Sequence, residues 1–424
     1  MKASLAPVLL ACVLPFAVSA EPIDAAFPGV VTVGRAKSPA PSERLDPARR
    51  SLSPVLLPAQ PVELSRKSVG SLLHSPVVLP DGGIVVALAS PEILRLAADG
   101  AEVTRVRIGS SPALRAPVVL PNGGVAALTG APSVVFLSAS GKLTATVPLP
   151  RASFAVQSGA GGLPDGFASI IATRDGAVVV AAGRSLYEVD ASGRVAAKAT
   201  LPERVSSDPL EHAGALLVMG EAGGVYRIAV PAEPKKLGVL AGASVGSAAL
   251  FDDRTLIAQA PPNRIVSLDL KSGIAVTRVG DSAFAMFDSP PALAADGTAW
   301  LTTVEGFLVG YDSSGAELAR SQLDRNAISP GGLVPLRTPG LGGMGLQPLA
   351  RLGVIVDQAG VVAFSRPQGR VGVRDTAGKL VIAADRGCTT PLSIIPTAPR
   401  QMLVACREGT LIFFGESTDT AAPP

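Results

Sequence analysis

Glycines recur in pairs 18 residues apart along this chain: Gly82 with Gly100, Gly123 with Gly141, Gly297 with Gly315, and Gly360 with Gly378. The first of each pair sits in a turn such as Pro80-Asp81-Gly82-Gly83 and the second in one such as Asp99-Gly100. Whole units repeat as well, because Ser75-Pro76-Val77-Val78-Leu79-Pro80-Asp81-Gly82-Gly83 matches Ala116-Pro117-Val118-Val119-Leu120-Pro121-Asn122-Gly123-Gly124 at an offset of 41. A fixed period of 20–50 residues marks an array of identical supersecondary units. Two tight turns per unit leave room only for short strands.

The 424 residues include 45 Gly and 38 Pro, and both break helices. Hydrophobic residues reach 47%, too many for a disordered chain. The net charge of +3 gives no electrostatic case for nucleic acid. An all-β protein of many short strands is the class that remains.

In the first unit the strand-like runs are Ile84–Leu88, Ile93–Leu96 and Glu102–Ile108. The first is continuously apolar, as for a strand covered on both faces; the last alternates, as for a half-exposed outer strand. Two hairpins, or four strands, in about 41 residues make the blade of a β-propeller. Turns near residues 81, 122, 175, 213, 253, 296, 358 and 398 predict eight four-stranded antiparallel blades, with seven as the alternative because Glu211-His212-Ala213-Gly214 matches the turn poorly. The last unit has three strands, around Ser393–Thr397, Met402–Ala405 and Thr410–Phe414. Val62–Val69 copies the outer-strand pattern, so an N-terminal strand is expected to close the ring and remove its exposed edges.

Leu268-Asp269-Leu270-Lys271-Ser272-Gly273 and Val373-Arg374-Asp375-Thr376-Ala377-Gly378-Lys379 resemble the "A-x-D-x-x-T-G-K" of quinoprotein-type (PQQ-like) propeller repeats, and Tyr187, Tyr226 and Tyr311 fit the strands leading into such turns. The resemblance spans roughly residues 62–416. It implies an eight-bladed ring that is either a quinone-dependent dehydrogenase or a non-catalytic scaffold of the BamB type. The family's blade-locking Trp is replaced here by Val276, Ala319 or Ile382, and the single tryptophan, Trp300, lies on an inner strand. The adjacent cysteines and the Trp floor of the quinone site are missing, and a planar cofactor needs an aromatic floor. The non-catalytic branch, without a cofactor, is therefore the expectation.

Met1-Lys2, the uncharged stretch Ala3–Ala20 and the ending Ala17-Val18-Ser19-Ala20 match a secretory signal. The alternatives are a membrane anchor and a lipidation site at Leu9-Leu10-Ala11-Cys12. Residues 21–60, rich in Pro, Ser and charge, read as a flexible linker; 61–416 is the propeller and 417–424 a disordered tail. Removing the signal leaves Cys388 and Cys406, 18 apart around a turn near Ala398-Pro399-Arg400. Their index midpoint of 397 is close to that turn, which suggests a disulfide across a hairpin; two inert buried thiols are the alternative.

Enzymatic motifs are weak. Gly242-Ala243-Ser244-Val245-Gly246 has the nucleophile-elbow spacing but no strand–turn–helix setting, and only His74 and His212 exist as partners. Gly340-Leu341-Gly342-Gly343-Met344-Gly345 has the dinucleotide spacing but no βαβ unit around it. Asp252-Asp253 occupies a turn slot. Two histidines and scattered carboxylates give no transition-metal set, so no metal is expected. Both turn series fall on one face of the disc. The other face carries the remaining links, including two long insertions, 151–165 and 325–346. Variable loops on a rigid scaffold are where binding resides. On that face Glu92, Arg184, Glu221, Arg264, Glu305, Arg325, Arg337, Arg366, Arg370, Arg407 and Glu408 are expected to form a mixed-charge rim. The bland reading is ordinary solvated loop charge. The functional reading is a docking rim for another envelope or secreted protein, on a chain with no transmembrane span after the signal.

Overall fold

The computed structural model describes residues 38, 40, 42, 51–150, 168–173, 176–190, 192–212, 214–228, 233–240, 248–260, 264–279, 289–303, 305–323, 353–366, 370–384 and 388–417. They fold into a ring of eight blades, and in blades 1 to 6 the four antiparallel strands run outward from the axis in chain order. Blade 1 comprises Val77–Val78, Ile84–Ala87, Glu92–Leu96 and Glu102–Arg107. Blades 2 to 6 follow over 118–148, 168–200, 210–239, 249–279 and 292–322. Blade 4 forms despite its poor turn match, because Gly214 supplies the left-handed residue (φ +71°) between Leu210–His212 and Ala215–Met219. Eight blades stand, and seven do not.

The 18-residue glycine interval has a simple origin. Gly82 and Gly100 both adopt φ of +82° and donate back to Leu79 O at 3.0 Å and Ala97 O at 2.9 Å. The preceding aspartates cap the same turns, Asp81 Oδ1 accepting from Gly83 N and Asp99 Oδ1 from Ala101 N, each at 2.9 Å. Two strands and one link separate such turns, and their lengths fix the spacing. Every residue of Ile84–Ala87, Val125–Thr129, Val178–Ala182 and Ala215–Met219 is buried, because each of these strands has a blade on either side. The outermost Glu102–Arg107 is largely exposed. Apolar clusters accordingly lie between blades. Val77, Val85 and Ile93 of blade 1, for example, pack against Val119, Val125 and Val135 of blade 2.

The last blade is built from Pro391–Ala398, Gln401–Cys406 and Thr410–Glu416, and Pro61–Ser68 completes it antiparallel to Thr410–Glu416, from Pro61 opposite Glu416 to Ser68 opposite Thr410. The expected closing strand is thus present one residue earlier than its sequence pattern suggested.

The linker reading of residues 21–60 needs correction at its described positions. Leu52–Ser53 adds to blade 7 as a fifth strand, parallel to Val354–Asp357 and on its axial side. Val356 N donates to Ser51 O at 3.1 Å, and Leu57 N donates to the Asp357 carboxylate at 2.8 Å. Upstream, Val78 N on the innermost strand of blade 1 donates to Ala40 O at 2.8 Å, and Ser38 Oγ donates to Val78 O. This N-terminal arm then crosses blade 8, where Arg400 N donates to Leu56 O and Glu416 accepts from the amides of Ala59 and Gln60. Composition pointed to a free chain because two-residue strands carry no periodicity.

The ladder at Leu52–Ser53 does not hold the arm by itself. A hydrogen bond contributes about 1 kcal/mol net, whereas ordering a residue costs about 1–2 kcal/mol. Leu52 and Leu57, each 3% exposed, sit in the clusters of blades 6–7 and of the closure. Burying such a side chain is worth about 1.5–3 kcal/mol, so these two leucines are the arm's anchors. Asp357, which receives the arm at Leu57, also accepts from Ala359 N and Val361 N at 2.9 Å each. Burial raises its carboxyl above the usual carboxylate range, and the amide bonds oppose that rise.

Candidate interaction face

Antiparallel pairing places both turn series on one face and every link between second and third strands on the other. Glu92, Arg184, Glu221, Arg264, Glu305, Arg366, Arg370, Arg407 and Glu408 all lie in or beside those second-to-third-strand links, in seven of the eight blades. Arg325 and Arg337 lie outside the described residues, as do both insertions, the Gly242–Gly246 and Gly340–Gly345 motifs, and the segment read as a signal.

The charges on this face do different work. Arg184, Glu221, Arg264 and Arg407 are exposed. Glu92 faces Arg105 at 3.6 Å and accepts from Ser90 Oγ at 2.9 Å. Glu408 is exposed but accepts from the amides of Thr389 and Thr390, fastening the link into blade 8. Glu305 is half-buried, and its charge helps to raise the Arg320 guanidinium, after the larger effect of Glu317. Arg366 is no rim residue. It is 5% exposed, and its Nη1 donates to Thr303 O of blade 6 at 2.6 Å. Arg370 likewise donates to Leu323 O of blade 6. A long side chain leaving a link can turn back into the neighbouring blade, which its sequence position does not reveal.

Cross-blade ties of another kind join neighbouring blades near their innermost strands. His74 Nε2 lies 3.1 Å from Ala113 O, His212 Nε2 lies 2.6 Å from Asp253 O, Arg115 donates to Ala168 O, and Ser169 donates to Asp208. Arg374 of blade 7 stacks over Trp300 of blade 6 with its guanidinium carbon 4.8 Å from the ring centre. Gly310 opposite Trp300 has no room for a side chain, since a Cβ there would lie 2.9 Å from the indole. Sequence reasoning missed these ties, although a signal existed. His74 and Ala113 are 39 apart, Ser169 and Asp208 are 39 apart, and His212 and Asp253 are 41 apart, close to one repeat in each case.

Little chemistry is left over among the described residues. Asp252 accepts from Arg254 N and Thr255 N at 2.8 and 2.5 Å, so it caps a turn rather than pairing with Asp253. Tyr226 OH donates to Glu203 at 2.6 Å; burial first, and then that carboxylate, push its phenol up to about 12. Cys388, Cys406 and Glu408 have ligand atoms within 4.8 Å of one another, but the sulfurs are joined in a disulfide and the carboxylate is occupied by the two threonine amides. On the turn face Asp190 and Asp312 are held below the usual range, first by the hydroxyls of Ser192 and Ser314 and then by backbone amides.

The division between ties and rim is measurable. Arg366→Ala removes the buried cross-blade bond to Thr303 O, leaving that carbonyl to its local bond from Gly306 N, and will cost about 1–3 kcal/mol in urea unfolding, while Arg184→Ala on the exposed rim will stay within about 0.5 kcal/mol. Equal losses for the two would erase the distinction.

The disulfide forms, but not as the hairpin arithmetic framed it. Ser393 pairs with Ala405 and Pro396 with Met402, which places the turn at Pro399-Arg400. Cys388 lies beyond the strand, and the link folds back so that the Cα atoms are 5.5 Å apart.

No helix among the described residues is long and apolar enough to cross a membrane. The sequence matches no protein-family profile and no curated protein. Solved structures do match. BamB from Moraxella catarrhalis superposes with a TM-score of 0.57 at 14% identity, covering 86% of this chain and 99% of that one. The computationally designed Ika8 protein gives 0.61 at 13%, covering 84% and 99%. The C-terminal WD40 domain of Sif2 gives 0.57 at 11%, covering 86% and 99%. The chain is therefore an eight-bladed β-propeller whose fold resembles those of BamB, a designed protein and a WD40 domain alike.

Proposed function

We propose that this chain is an exported, non-catalytic propeller that acts as a protein-interaction scaffold in the cell envelope. One observation carries the reading: the side chains that would serve chemistry are spent on the ring. Both histidines bond to neighbouring blades, Asp252 caps a turn and Trp300 is sandwiched between blades 6 and 7. What the link face offers instead is exposed mixed charge at Arg184, Glu221, Arg264 and Arg407. Fold alone assigns no function. The BamB-type resemblance of the repeats, the secretory pattern of the first 20 residues and the disulfide all support an oxidising, extracytoplasmic setting.

A photoreactive residue at Arg184 or Arg407 is expected to capture one discrete partner in intact cells, whereas one at Asp99 on the turn face captures none. Deleting residues 325–346 is expected to abolish capture and leave the melting temperature unchanged. Stoichiometric retention of a quinone after reconstitution with quinone and calcium would overturn the reading.

A further inference from the structure

We infer that the axial wall of the ring, at the innermost strands of blades 7 and 1, is a binding site for an extended peptide of a partner protein, and that the N-terminal arm is its resident occupant. An innermost strand presents a row of backbone donors and acceptors towards the axis, and an added strand satisfies them. This chain supplies a strand to itself at blade 7 and a backbone contact at blade 1. Ser51 O takes Val356 N, with Leu52 opposite Val356 and Ser53 opposite Asp357. Ala40 O takes Val78 N, and Ser38 Oγ reaches Val78 O.

The occupant's chemistry defines the ligand class. Ser38, Ala40, Ser51 and Ser53 are all buried, so small side chains are required where the arm meets the wall. Leu52 and Leu57 fill apolar clusters, and Asp357 takes the amide of Leu57. The matching ligand is an extended segment with serine or alanine where it meets the wall and two leucines five residues apart, read mainly through its backbone. Occupation is reversible because ring closure does not depend on the arm. Pro61–Ser68 holds blade 8 through its own ladder, and the arm up to and including Leu57 can leave without breaking it. Intramolecular tethering keeps the arm ahead of any partner until a better-matched segment displaces it. This site is separate from the link face, so it can fail while the proposed docking rim stands.

The test uses the full chain and a fluorescent peptide copying residues 36–58. Leu52→Asp places a charge in the cluster of blades 6–7 and weakens the resident arm. That variant is expected to bind the peptide at least tenfold more tightly than the unsubstituted chain does. A peptide carrying aspartate in place of Leu52 and Leu57 is expected to bind neither. Leu57→Asp serves as the second variant if Leu52→Asp does not melt cooperatively. Equal affinity for both proteins, or no binding to a cooperatively melting variant, would overturn the proposal. Capture at the link face would be untouched by that result.

Discussion

A chain shortened to begin after Ser68 will lose cooperative melting and come out of solution, whereas one lacking only residues 21–57 will remain a closed, soluble ring. The first truncation removes seven paired positions between Pro61–Ser68 and Thr410–Glu416. At about 1 kcal/mol net per hydrogen bond, that ladder is worth on the order of 5 kcal/mol, comparable with the whole stability of an ordinary domain. It also leaves Leu411, Ile412, Phe413 and Phe414 along a strand with one unpaired edge. Such an edge, apolar and without a charge between Thr410 and Gly415, is a template for pairing with other copies. The second truncation gives up two leucine anchors and a two-residue ladder, and exposes no outer edge. Urea unfolding followed by circular dichroism, with size-exclusion chromatography, separates the two. If both truncations behaved alike, ring closure would rest on the arm rather than on Pro61–Ser68.

Much of the architecture was legible because its cause is local. A left-handed glycine after an aspartate closes a turn wherever it stands, so Gly82, Gly100 and their counterparts give strand order and blade number from the chain alone. The ring closure was legible because Pro61–Ser68 copies the polar pattern of an outer strand. The arm was not. Leu52–Ser53 is too short to alternate, and its partner Val354–Asp357 is about 300 residues away.

The face of the disc was equally accessible, since a link must lie opposite a turn in an antiparallel blade. Which of its charges are free was not. Arg366 and Arg184 stand at equivalent links, yet one reaches Thr303 O and the other stays in solvent. The outcome depends on inter-blade distances that no single repeat encodes. It also changes what a candidate list on such a face means. A charged link residue that crosses to the next blade belongs to the scaffold, and only those remaining in solvent can report on a partner.

The bond between Cys388 and Cys406 supplies the second large effect. Both residues are buried, and the loop they close spans 18 positions. Constraining a loop of that length in the unfolded chain is worth about 3 kcal/mol. Replacing both cysteines by serine will lower unfolding stability by about that amount, because the loss lies chiefly in the unfolded state. The two ends stay near one another without the sulfurs, since Arg407 N donates to Thr390 O at 2.8 Å and Glu408 receives the amides of Thr389 and Thr390. The double variant will therefore fold to the same ring and melt several degrees lower. Adding a dithiol reductant will shift the unsubstituted chain towards the variant and leave the variant unmoved. Serine buries two hydroxyls where sulfur stood, so the paired alanine variant checks that the loss follows the crosslink and not the new polar groups. Equal melting of the reduced and oxidised chains would mean that the amide bonds to Glu408, rather than the sulfurs, hold the link into the last blade.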